Sequence, residues 1–369
     1  MTEPIRVLQV LGRSAGGIAR HVAQITAALD AEDLFAVDVA APDGLPVALP
    51  KHRTVVDIPE GPRGHRRAVQ ELERRIAGAG YEVVHAHGLR AGMDAGRAAR
   101  TAGAYRVLTV HNLVRPEVVG RIRASLYRVA EPLAVALTDR TFAVSADVAE
   151  SMARRAPRAA GRIEVLHLGV GDAPPVTRRA DDVRSSLDVP EGGRLIVTAS
   201  RLAPQKALDV LLAALSLLPP RVVLAVLGEG ELEEELRRRA KSLGVDGRVR
   251  WLGFRSDLPD HIAAADVFCL SSVWEGVPLA AQEAILLGTP VVATGVGGMA
   301  ELIADRRSGR LVPPGDPEAL AGALRQTLED PAAAREWARA SLEHVKRSFS
   351  TRAMLERLKA AYLEGVHAS

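Results

Sequence analysis

Short runs of β-branched residues alternate with helical segments along almost the whole chain. The early runs include RVLQVL, EVVHAH and RVLTV, and the later ones include RLIVTA, RVVLAVLG and PVVAT. The segments between them have a helical period; after the first run, Ile18, Val22, Ile25 and Leu29 fall on one helix face. Strands that alternate with helices form parallel sheets with both faces covered. The sequence therefore predicts an α/β protein built from doubly wound parallel sheets.

The length and one polar segment predict two domains. The chain has 369 residues, whereas single hydrophobic cores stop growing at roughly 250 to 300 residues. Residues 168–193 are rich in Pro, Gly and charge and have no strand pattern, which favours a linker. We predict a Rossmann-like N-terminal domain over 1–170 and a similar C-terminal domain over 171–349, with a last helix at about 350–369 crossing back to the first domain. Ligands of open α/β sheets bind beyond the carboxyl ends of the strands, so we expect a ligand cleft between the domains.

The composition excludes several classes of protein. With 47% hydrophobic and 25% charged residues the chain is typical of soluble globular proteins. The net charge of +3 is small, and no stripe of Lys and Arg with interleaved aromatic residues indicates nucleic-acid binding. A single cysteine, Cys269, excludes an intramolecular disulfide and a cysteine-based metal site. Because no apolar run approaches the ~20 residues that span a bilayer and no signal peptide precedes the first strand pattern, we expect a cytoplasmic protein.

The first half of the chain offers one glycine loop and three histidines. Gly16 and Gly17 lie between the first strand and a helix, where bare backbone N–H groups can approach an anion, although a tight turn alone would also use glycine. His85 and His87 share one strand face, and packing is the preferred interpretation, because neither a carboxylate nor a third histidine at ligand spacing indicates zinc. His111 follows a strand end, a position where α/β enzymes carry reactive groups, with packing as the open alternative.

Two cations follow the first strand of the second half. Arg201 lies at the exit of the RLIVTA strand, and Lys206 lies at the entry of the next helix. Two fixed cations at a strand's carboxyl end suit a diphosphate, which Arg binds in bidentate fashion and Lys binds as a point charge. Either residue alone would be an ordinary solvated cation, so the interpretation depends on their shared location.

The stretch SSVWEGVPLAAQEAILLG carries two glutamates eight positions apart. Pro278 suits the first position of a helix that ends at Gly288, so Glu275 precedes the helix and Glu283 lies within it. The backbone N–H groups of residues 276–279, apart from Pro278, which has none, are free to bind sugar or phosphate oxygens. Both carboxylates can accept hydrogen bonds from the paired hydroxyls of a sugar or a ribose. Glu283 is expected in a buried segment, where a carboxylate requires partners.

Two further patterns have weaker functional interpretations. Residues 295–300, GVGGMA, fit the dinucleotide-binding pattern G-x-G-x-x-A, but Asp316, in the place of a ribose-binding acid, is better explained as a helix N-cap. An NAD-linked oxidoreductase is therefore disfavoured. Residues 63–76 form a basic amphipathic helix whose arginines can rest on anionic lipid while Val69, Leu72 and Ile76 pack inward, with an ordinary solvated face as the alternative.

Taken together, these motifs resemble the GT-B glycosyltransferase family 4, also called glycosyl transferases group 1. The likeness covers nearly the whole chain. It includes AGGIARHVAQITAAL, VVHAHG, TVHN, SRLAPQK, VLGEGEL, ADVFCLSS, the E-x7-E stretch from Glu275 to Glu283, GTPVVATGVGG and GRLVPPGDPEALA. The E-x7-E block with its flanks is specific to the family, whereas the glycine loop alone is not.

The resemblance implies a fold, a reaction and roles for particular residues. It implies a GT-B fold, with two Rossmann-like domains facing across a cleft, and a retaining transferase of the hexosyltransferase type that moves a sugar from a nucleoside-diphosphate sugar to an acceptor hydroxyl. It assigns the diphosphate to Arg201 and Lys206, the ribose to Glu283, and the donor sugar to Glu275. The backbone of Gly276, Val277, Pro278 and Leu279 assists, Gly16 and Gly17 cap the phosphates, and His111 lies at the reacting centre.

The resemblance also leaves several points open. It implies that no metal or other cofactor is required. It does not identify the acceptor, which is a sugar, a lipid or a small molecule. The family's usual Asn, Gly and bulky aromatic residue are replaced by Leu168, Ala207 and Val277, which puts local turn geometry and the sugar pocket in question. A nucleotide-sugar epimerase of similar fold and a non-catalytic nucleotide-sugar-binding regulator are the alternative functions. Contact with the inner membrane face stays an open alternative to a purely cytoplasmic protein.

Overall fold

The structure is a computed structural model of the chain that describes residues 3–13, 17–45, 53–59, 63–112 and 121–368. It divides into two compact units. The first unit comprises Met1–Gly169 together with Thr351–Ser369, and the second unit comprises Val170–Ser350. Each of these boundaries differs by one residue from the predicted one.

The first unit is a parallel sheet covered by helices. Its seven described strands follow the order β3-β2-β1-β4-β5-β6-β7. The strands are β1 Ile5–Leu11, β2 Phe35–Ala41, β3 Arg53–Val55, β4 Val83–His87, β5 Tyr105–Val110, β6 Arg140–Ala143 and β7 Ile163–Val165. The described helices are α1 Gly17–Asp30, α2 His65–Ala79, α3 Leu89–Ala102, α4 Arg121–Ala136 and α5 Ala146–Arg155, with a C-terminal helix over Thr351–Ala368.

The C-terminal helix packs against the sheet of the first unit. Leu358 and Tyr362 are fully buried in one hydrophobic cluster with Phe142 of β6. The helix approaches the sheet closely at Gly365, where an added Cβ would lie 2.2 Å from the ring of Tyr105. Because such a contact is sterically forbidden, only glycine permits this packing.

The second unit repeats the same arrangement. Its six described strands are parallel and follow the order β10-β9-β8-β11-β12-β13. They are β8 Arg194–Ala199, β9 Val222–Leu227, β10 Val249–Gly253, β11 Val267–Leu270, β12 Val291–Thr294 and β13 Arg310–Val312. The helices are α6 Ala180–Ser186, α7 Leu208–Ser216, α8 Glu233–Ser242, α9 Leu258–Ala263, α10 Leu279–Leu286, α11 Met299–Leu302, α12 Pro317–Glu329 and α13 Pro331–Ser348.

In both sheets the strand order reverses beside the unit's first strand. The reversal lies between β1 and β4 in the first unit and between β8 and β11 in the second. Loops at the carboxyl ends of the strands on either side of such a reversal form the ligand-binding crevice of open α/β sheets. The residues that follow the carboxyl ends of these strands are therefore candidate functional residues.

Most of the predicted linker is a packed part of the second unit. Residues 170–193 belong to this unit and contain helix α6, whose Val183 is fully buried. The Asp260 carboxylate on α9 accepts hydrogen bonds from the backbone N–H of Thr177 at 2.6 Å and from that of Arg178 at 3.1 Å. The polar composition of the segment favours a linker, but the segment contains a short helix with few buried side chains.

Helix α2 has one buried face and one exposed basic face. Ala68, Leu72 and Ile76 are buried, whereas Val69 is only half-buried against the same core. The arginines at positions 66, 67 and 74 are exposed. None of the described helices is both long enough and apolar enough to cross a membrane.

Candidate active-site residues

Three buried histidines meet at the carboxyl ends of the central strands of the first unit. His87 ends β4, His111 follows β5, and His21 comes from α1; their exposed fractions are 3%, 5% and 2%. We call these three residues the histidine cluster. Nδ1 of His87 lies 3.2 Å from Nε2 of His111, and the ring of His21 packs edge-on against both other rings. The sequence spacing does not indicate this third histidine, because only the fold brings His21 to His87.

A network of side-chain hydrogen bonds holds His87 of the histidine cluster. Oε1 of Gln9 accepts from Nε2 of His87 at 2.8 Å, and Nε2 of Gln9 donates to the Tyr362 hydroxyl at 3.2 Å. That hydroxyl lies 2.6 Å from Nδ1 of His85, whose Nε2 lies 2.7 Å from the Thr109 hydroxyl. This network places the proton of His87 on Nε2 and its lone pair on Nδ1, which faces His111. His85 is thus held by packing and hydrogen bonds, as the sequence predicts.

Burial keeps the histidines neutral at physiological pH. Burial lowers the pKa of His21 from 6.5 to about 4. Burial, with a further contribution from His21, lowers the pKa of His85 to about 3. The pKa values of His87 and His111 also lie well below the ordinary value, chiefly because of burial and then because of the neighbouring histidines. Neutral imidazoles can accept a proton or bind a metal ion.

The first unit places the predicted residues as follows. Gly17 begins α1, whereas Gly16 lies outside the described residues. His111 follows β5 as predicted, and it lines a cavity of about 180 Å³ together with His87, Gly12 and Asn112. The sequence pattern identified this strand end, but neither Gln9 nor His21 carried a signal of its own.

In the second unit Glu275 is held in an ion pair just beyond β11. Its Oε1 accepts hydrogen bonds from Nζ of Lys206 and from the Ser272 hydroxyl, both at 2.6 Å. The Glu275 side chain is 6% exposed and that of Lys206 is 15% exposed. Among the described residues nothing donates to Oε2 of Glu275, so this second oxygen is open to a ligand. Lys206 and Glu275, predicted separately, form one ion pair, and Ser272 is an addition to the predicted set.

Lys206 ends a short turn that is strained at the next residue. The turn spans Pro204–Lys206, and Ala207 follows in the left-handed conformation with φ +45° and ψ +46°. This left-handed conformation costs an L-amino acid roughly 1–2 kcal/mol, whereas glycine adopts it freely. Ala207 adopts this left-handed conformation at the position where the family resemblance implies a glycine.

Neighbouring loops fix the segment that carries Glu275. The amide of Gln205 donates to the carbonyl of Trp274 at 3.2 Å, and the carbonyl of Gln205 accepts from the N–H of Val273 at 2.9 Å. The N–H of Gly298 donates to the carbonyl of Gly276 at 2.7 Å. The segment is thus tied on one side to the loop after β8 and on the other to the loop after β12.

Gly297 and Gly298 of the GVGGMA motif contact the backbone of this segment. Gly297 has φ +53°, and an added Cβ would lie 1.8 Å from the carbonyl oxygen of Glu275. Helix α11 begins inside the motif and spans only Met299–Leu302. The predicted N-cap is confirmed, because the Asp316 carboxylate accepts from the N–H of Ala319 at 2.8 Å.

The helix after Glu275 begins one residue later than predicted. Pro278 is its N-cap and Leu279 its first residue, and the left-handed Gly288 follows the last turn. Glu283 lies in the helix as expected but is only half-buried, so the prediction that it is the buried carboxylate is wrong. Glu275 is the buried one, because the loops around it close over its side chain. No described residue accepts from the backbone N–H groups of Gly276, Val277 and Leu279.

Arg201 lies just beyond the carboxyl end of β8. Its side chain is exposed, and its guanidinium contacts no acceptor among the described residues. β8 and β11 flank the reversal of strand order, so Arg201 and the Lys206–Glu275 pair leave the two strands where ligands bind. The arrangement offers fixed positive charge, an open carboxylate oxygen and unpaired N–H groups.

The sequence matches two models of glycosyltransferase families. Residues 15–173 match Glycosyltransferase Family 4, and residues 180–344 match Glycosyl transferases group 1. The chain belongs to this family of glycosyltransferases. It is 31% identical over 294 residues to the D-inositol 3-phosphate glycosyltransferase of Streptomyces avermitilis, covering 72% of this chain and 62% of that protein. It is 28% identical over 259 residues to an Escherichia coli enzyme named UDP-Gal:alpha-D-GlcNAc-diphosphoundecaprenol alpha-1,3-galactosyltransferase, covering 68% and 67%.

This family 4 member therefore spans somewhat less than two thirds of the length of the Streptomyces relative. Among solved structures, it matches HepE of Anabaena in complex with UDP with a TM-score of 0.81, 22% identity, and coverage of 98% and 100%. It matches sucrose-phosphate synthase of Thermosynechococcus elongatus with a TM-score of 0.85, 23% identity, and coverage of 99% and 100%. These similarities show that the family member has the GT-B fold.

Proposed function

We propose that this protein is a retaining glycosyltransferase of the hexosyltransferase type, which moves a sugar from a nucleoside-diphosphate sugar to an acceptor hydroxyl. The observation that carries the proposal is the Glu275 carboxylate, whose Oε1 is fixed by Lys206 and Ser272 while Oε2 has no described donor. A buried carboxylate with one oxygen fixed is oriented to accept from the hydroxyls of a bound sugar. Glu275 is therefore assigned to the donor sugar.

The neighbouring cations are assigned to the diphosphate. An ammonium group has three N–H donors, and Lys206 uses one of them on Glu275, so two stay for phosphate oxygens. The exposed Arg201 has its whole guanidinium available. When the sugar–phosphate bond breaks, the leaving diphosphate gains negative charge, which fixed cations stabilise. The N–H groups of Gly276, Val277 and Leu279 supplement them, with Pro278 holding the start of the helix.

The remaining assignments rest on the family resemblance. Glu283 is assigned to the ribose, Gly16 and Gly17 to the phosphates, and His111 to the reacting centre. Because His111 is neutral, its unprotonated ring nitrogen can accept a hydrogen bond or a proton from a reacting hydroxyl. We propose that transfer requires no metal ion, because protein cations and N–H groups supply the positive charge.

The donor and the acceptor are proposed by class. Binding of UDP by HepE, and the UDP-Gal donor in the name of the E. coli relative, favour a uridine nucleotide. The acceptor is a sugar, a lipid or a small molecule that offers a hydroxyl. We propose a cytoplasmic location, where the exposed arginines of α2 provide a contact with the anionic inner membrane face.

One incubation tests the proposed function. The protein is mixed with UDP-glucose, UDP-galactose or UDP-N-acetylglucosamine, with and without a panel of inositol phosphates, sugars and lipid-linked sugars, in buffer containing EDTA. We expect UDP release that depends on an acceptor and yields a product with the donor's anomeric configuration by NMR.

Other outcomes identify the alternatives. A changed sugar without an acceptor supports an epimerase, and binding without turnover supports a regulator. An acceptor-dependent product of inverted configuration contradicts retention alone. Turnover that is abolished by EDTA and restored by Mg²⁺ contradicts the metal-free reaction.

A further inference from the structure

We propose that His21, His87 and His111 form a binding site for Zn²⁺ or a cation of similar preference such as Co²⁺. One ligand atom from each of these buried histidines lies within 4.8 Å of the others. Three neutral imidazoles suit zinc and cobalt, whereas Mg²⁺ and Ca²⁺ prefer oxygen ligands. Three protein ligands, with the fourth position left to water, match the pattern of zinc sites that keep an open coordination position.

The spacing of the nitrogen atoms is close to that of a metal site. Two nitrogens bound to tetrahedral zinc at ~2.0–2.1 Å are separated by roughly 3.3 Å. Nδ1 of His87 and Nε2 of His111 are 3.2 Å apart. The largest separation is at most 4.8 Å. It must therefore close by no more than about 1.5 Å, which a side-chain movement of His21 can provide.

Gln9 already orients His87 as a ligand. The Nε2–H of His87 donates to Oε1 of Gln9 at 2.8 Å, so the lone pair of His87 lies on Nδ1, within the cluster. Metal-binding histidines commonly donate their second ring nitrogen to a carbonyl or carboxylate in this way. Without metal, Nε2 of His111 carries the proton that bonds to Nδ1 of His87; on metal binding that proton moves to Nδ1 of His111.

His21 supplies an independent observation. Its Nε2 is buried and has no hydrogen-bond partner among the described residues. A buried polar atom without a partner costs roughly 1–3 kcal/mol, and a metal ion bound in the cluster would remove that cost if Nε2 is the ligand atom. The cavity lined by His87 and His111 gives an ion a route to the cluster and leaves room for a water ligand.

Metal binding has a consequence that rests on the proposed function. A metal ion on Nε2 of His111 moves the ring proton to Nδ1, so the ring can no longer accept from a hydroxyl at the reacting centre, where the family resemblance places His111. Zinc should therefore inhibit transfer, and a chelator should restore it. Binding is measured below without any reaction, so failure of the transferase proposal leaves the metal site testable.

The experiment is calorimetry on the full-length protein. The protein is stripped with EDTA, dialysed and titrated with ZnCl₂, and the visible spectrum is recorded after titration with CoCl₂. We expect one zinc ion per chain and the intense visible bands of four-coordinate cobalt. His21→Gln should weaken zinc binding by at least tenfold, and Gln9→Leu should weaken it by roughly 10–100-fold, as loss of an outer hydrogen-bonding partner does elsewhere.

The control is His65→Gln in the same unit. His65 is paired with Asp94 at 2.7 Å and lies outside the histidine cluster, so this variant should bind zinc normally. Circular dichroism of each stripped variant shows whether it is folded, and the cobalt spectrum of Gln9→Leu tests the site if His21→Gln does not fold. Several weak ions per chain, equal binding by His21→Gln and His65→Gln, or a six-coordinate cobalt spectrum overturns the proposal.

Discussion

The ion pair between Lys206 and Glu275 makes Glu275→Gln a revealing substitution. The amide of Gln can keep the hydrogen bonds from Lys206 and Ser272, but the negative charge is lost. The ammonium of Lys206, 15% exposed as a side chain, then lacks its partner. Removing one member of a buried ion pair costs ~3–5 kcal/mol, and the residual solvent access of Lys206 places the expected loss near 3 kcal/mol.

The chain carries its own probe for this loss. All three tryptophans, Trp251, Trp274 and Trp337, lie in the second unit, whereas all four tyrosines lie in the first unit. Urea unfolding followed by tryptophan fluorescence therefore reports the second unit. We expect its transition to move to lower urea in Glu275→Gln, while the tyrosine transition of the first unit stays in place.

Although Glu275→Gln should destabilise the second unit, it should not weaken the binding of UDP. The diphosphate of UDP brings negative charge to the ammonium that Glu275→Gln has left unpaired. The dissociation constant for UDP should therefore stay unchanged or fall. Turnover of an intact UDP-sugar should decrease roughly 10–100-fold, because a hydrogen bond to a charged group is worth ~1.5–3 kcal/mol.

Glu283→Gln is the matched comparison for nucleotide binding. If Glu283 holds the ribose, its loss should raise the dissociation constant for UDP roughly tenfold or more. Calorimetry on both variants with UDP alone separates the two roles. If Glu275→Gln weakens UDP binding as much as Glu283→Gln does, the proposed division of roles is wrong.

Two further predictions concern the supporting structure. Gly297→Ala should destabilise the second unit and weaken UDP binding, because its Cβ would meet the Glu275 carbonyl at 1.8 Å; Gly288→Ala, with nothing within 4 Å, should cost only the roughly 1–2 kcal/mol of a left-handed residue. Equal tryptophan-monitored unfolding of the two variants would contradict this. In metal-free protein, the first unit should lose stability as the pH falls from 7 to 5. Unfolded His21 binds a proton below about 6.5 but folded His21 only near 4, so stability is full above 6.5 and decreases towards 4, by about 2 kcal/mol at pH 5 for this residue. A tyrosine-monitored urea transition that is the same at both pH values would refute it.

The sequence predicts much of the fold because its patterns are local. Alternating strand and helix periods identify the long strands, and the N-cap at Asp316 follows from an Asp–Pro pair. Two of the three strands that have only three residues, β3 and β13, are not predicted, because so short a segment shows little periodicity. Helix α6 escapes for a related reason, since a polar segment with few apolar residues resembles a linker.

The candidate site is predicted less completely because its contacts are not local. Glu275, Lys206 and Arg201 follow from the strand-exit pattern, but the pairing of Lys206 with Glu275 joins loops after different strands. Which glutamate is buried depends on those loops and not on the helix that follows. The meeting of His21 with His87 likewise depends on a helix and a strand that only the fold brings together.

Arg201→Gln tests most directly the central claim that the second unit binds a nucleoside diphosphate beyond β8 and β11. The side chain is exposed and its guanidinium has no described partner, so the substitution should leave the tryptophan-monitored stability unchanged. Arg335→Gln, on the exposed face of α13, is the matched control for loss of one positive charge. By calorimetry we predict a dissociation constant for UDP that rises roughly tenfold or more in Arg201→Gln and stays unchanged in Arg335→Gln. Equal UDP affinity in wild type and both variants would contradict the account.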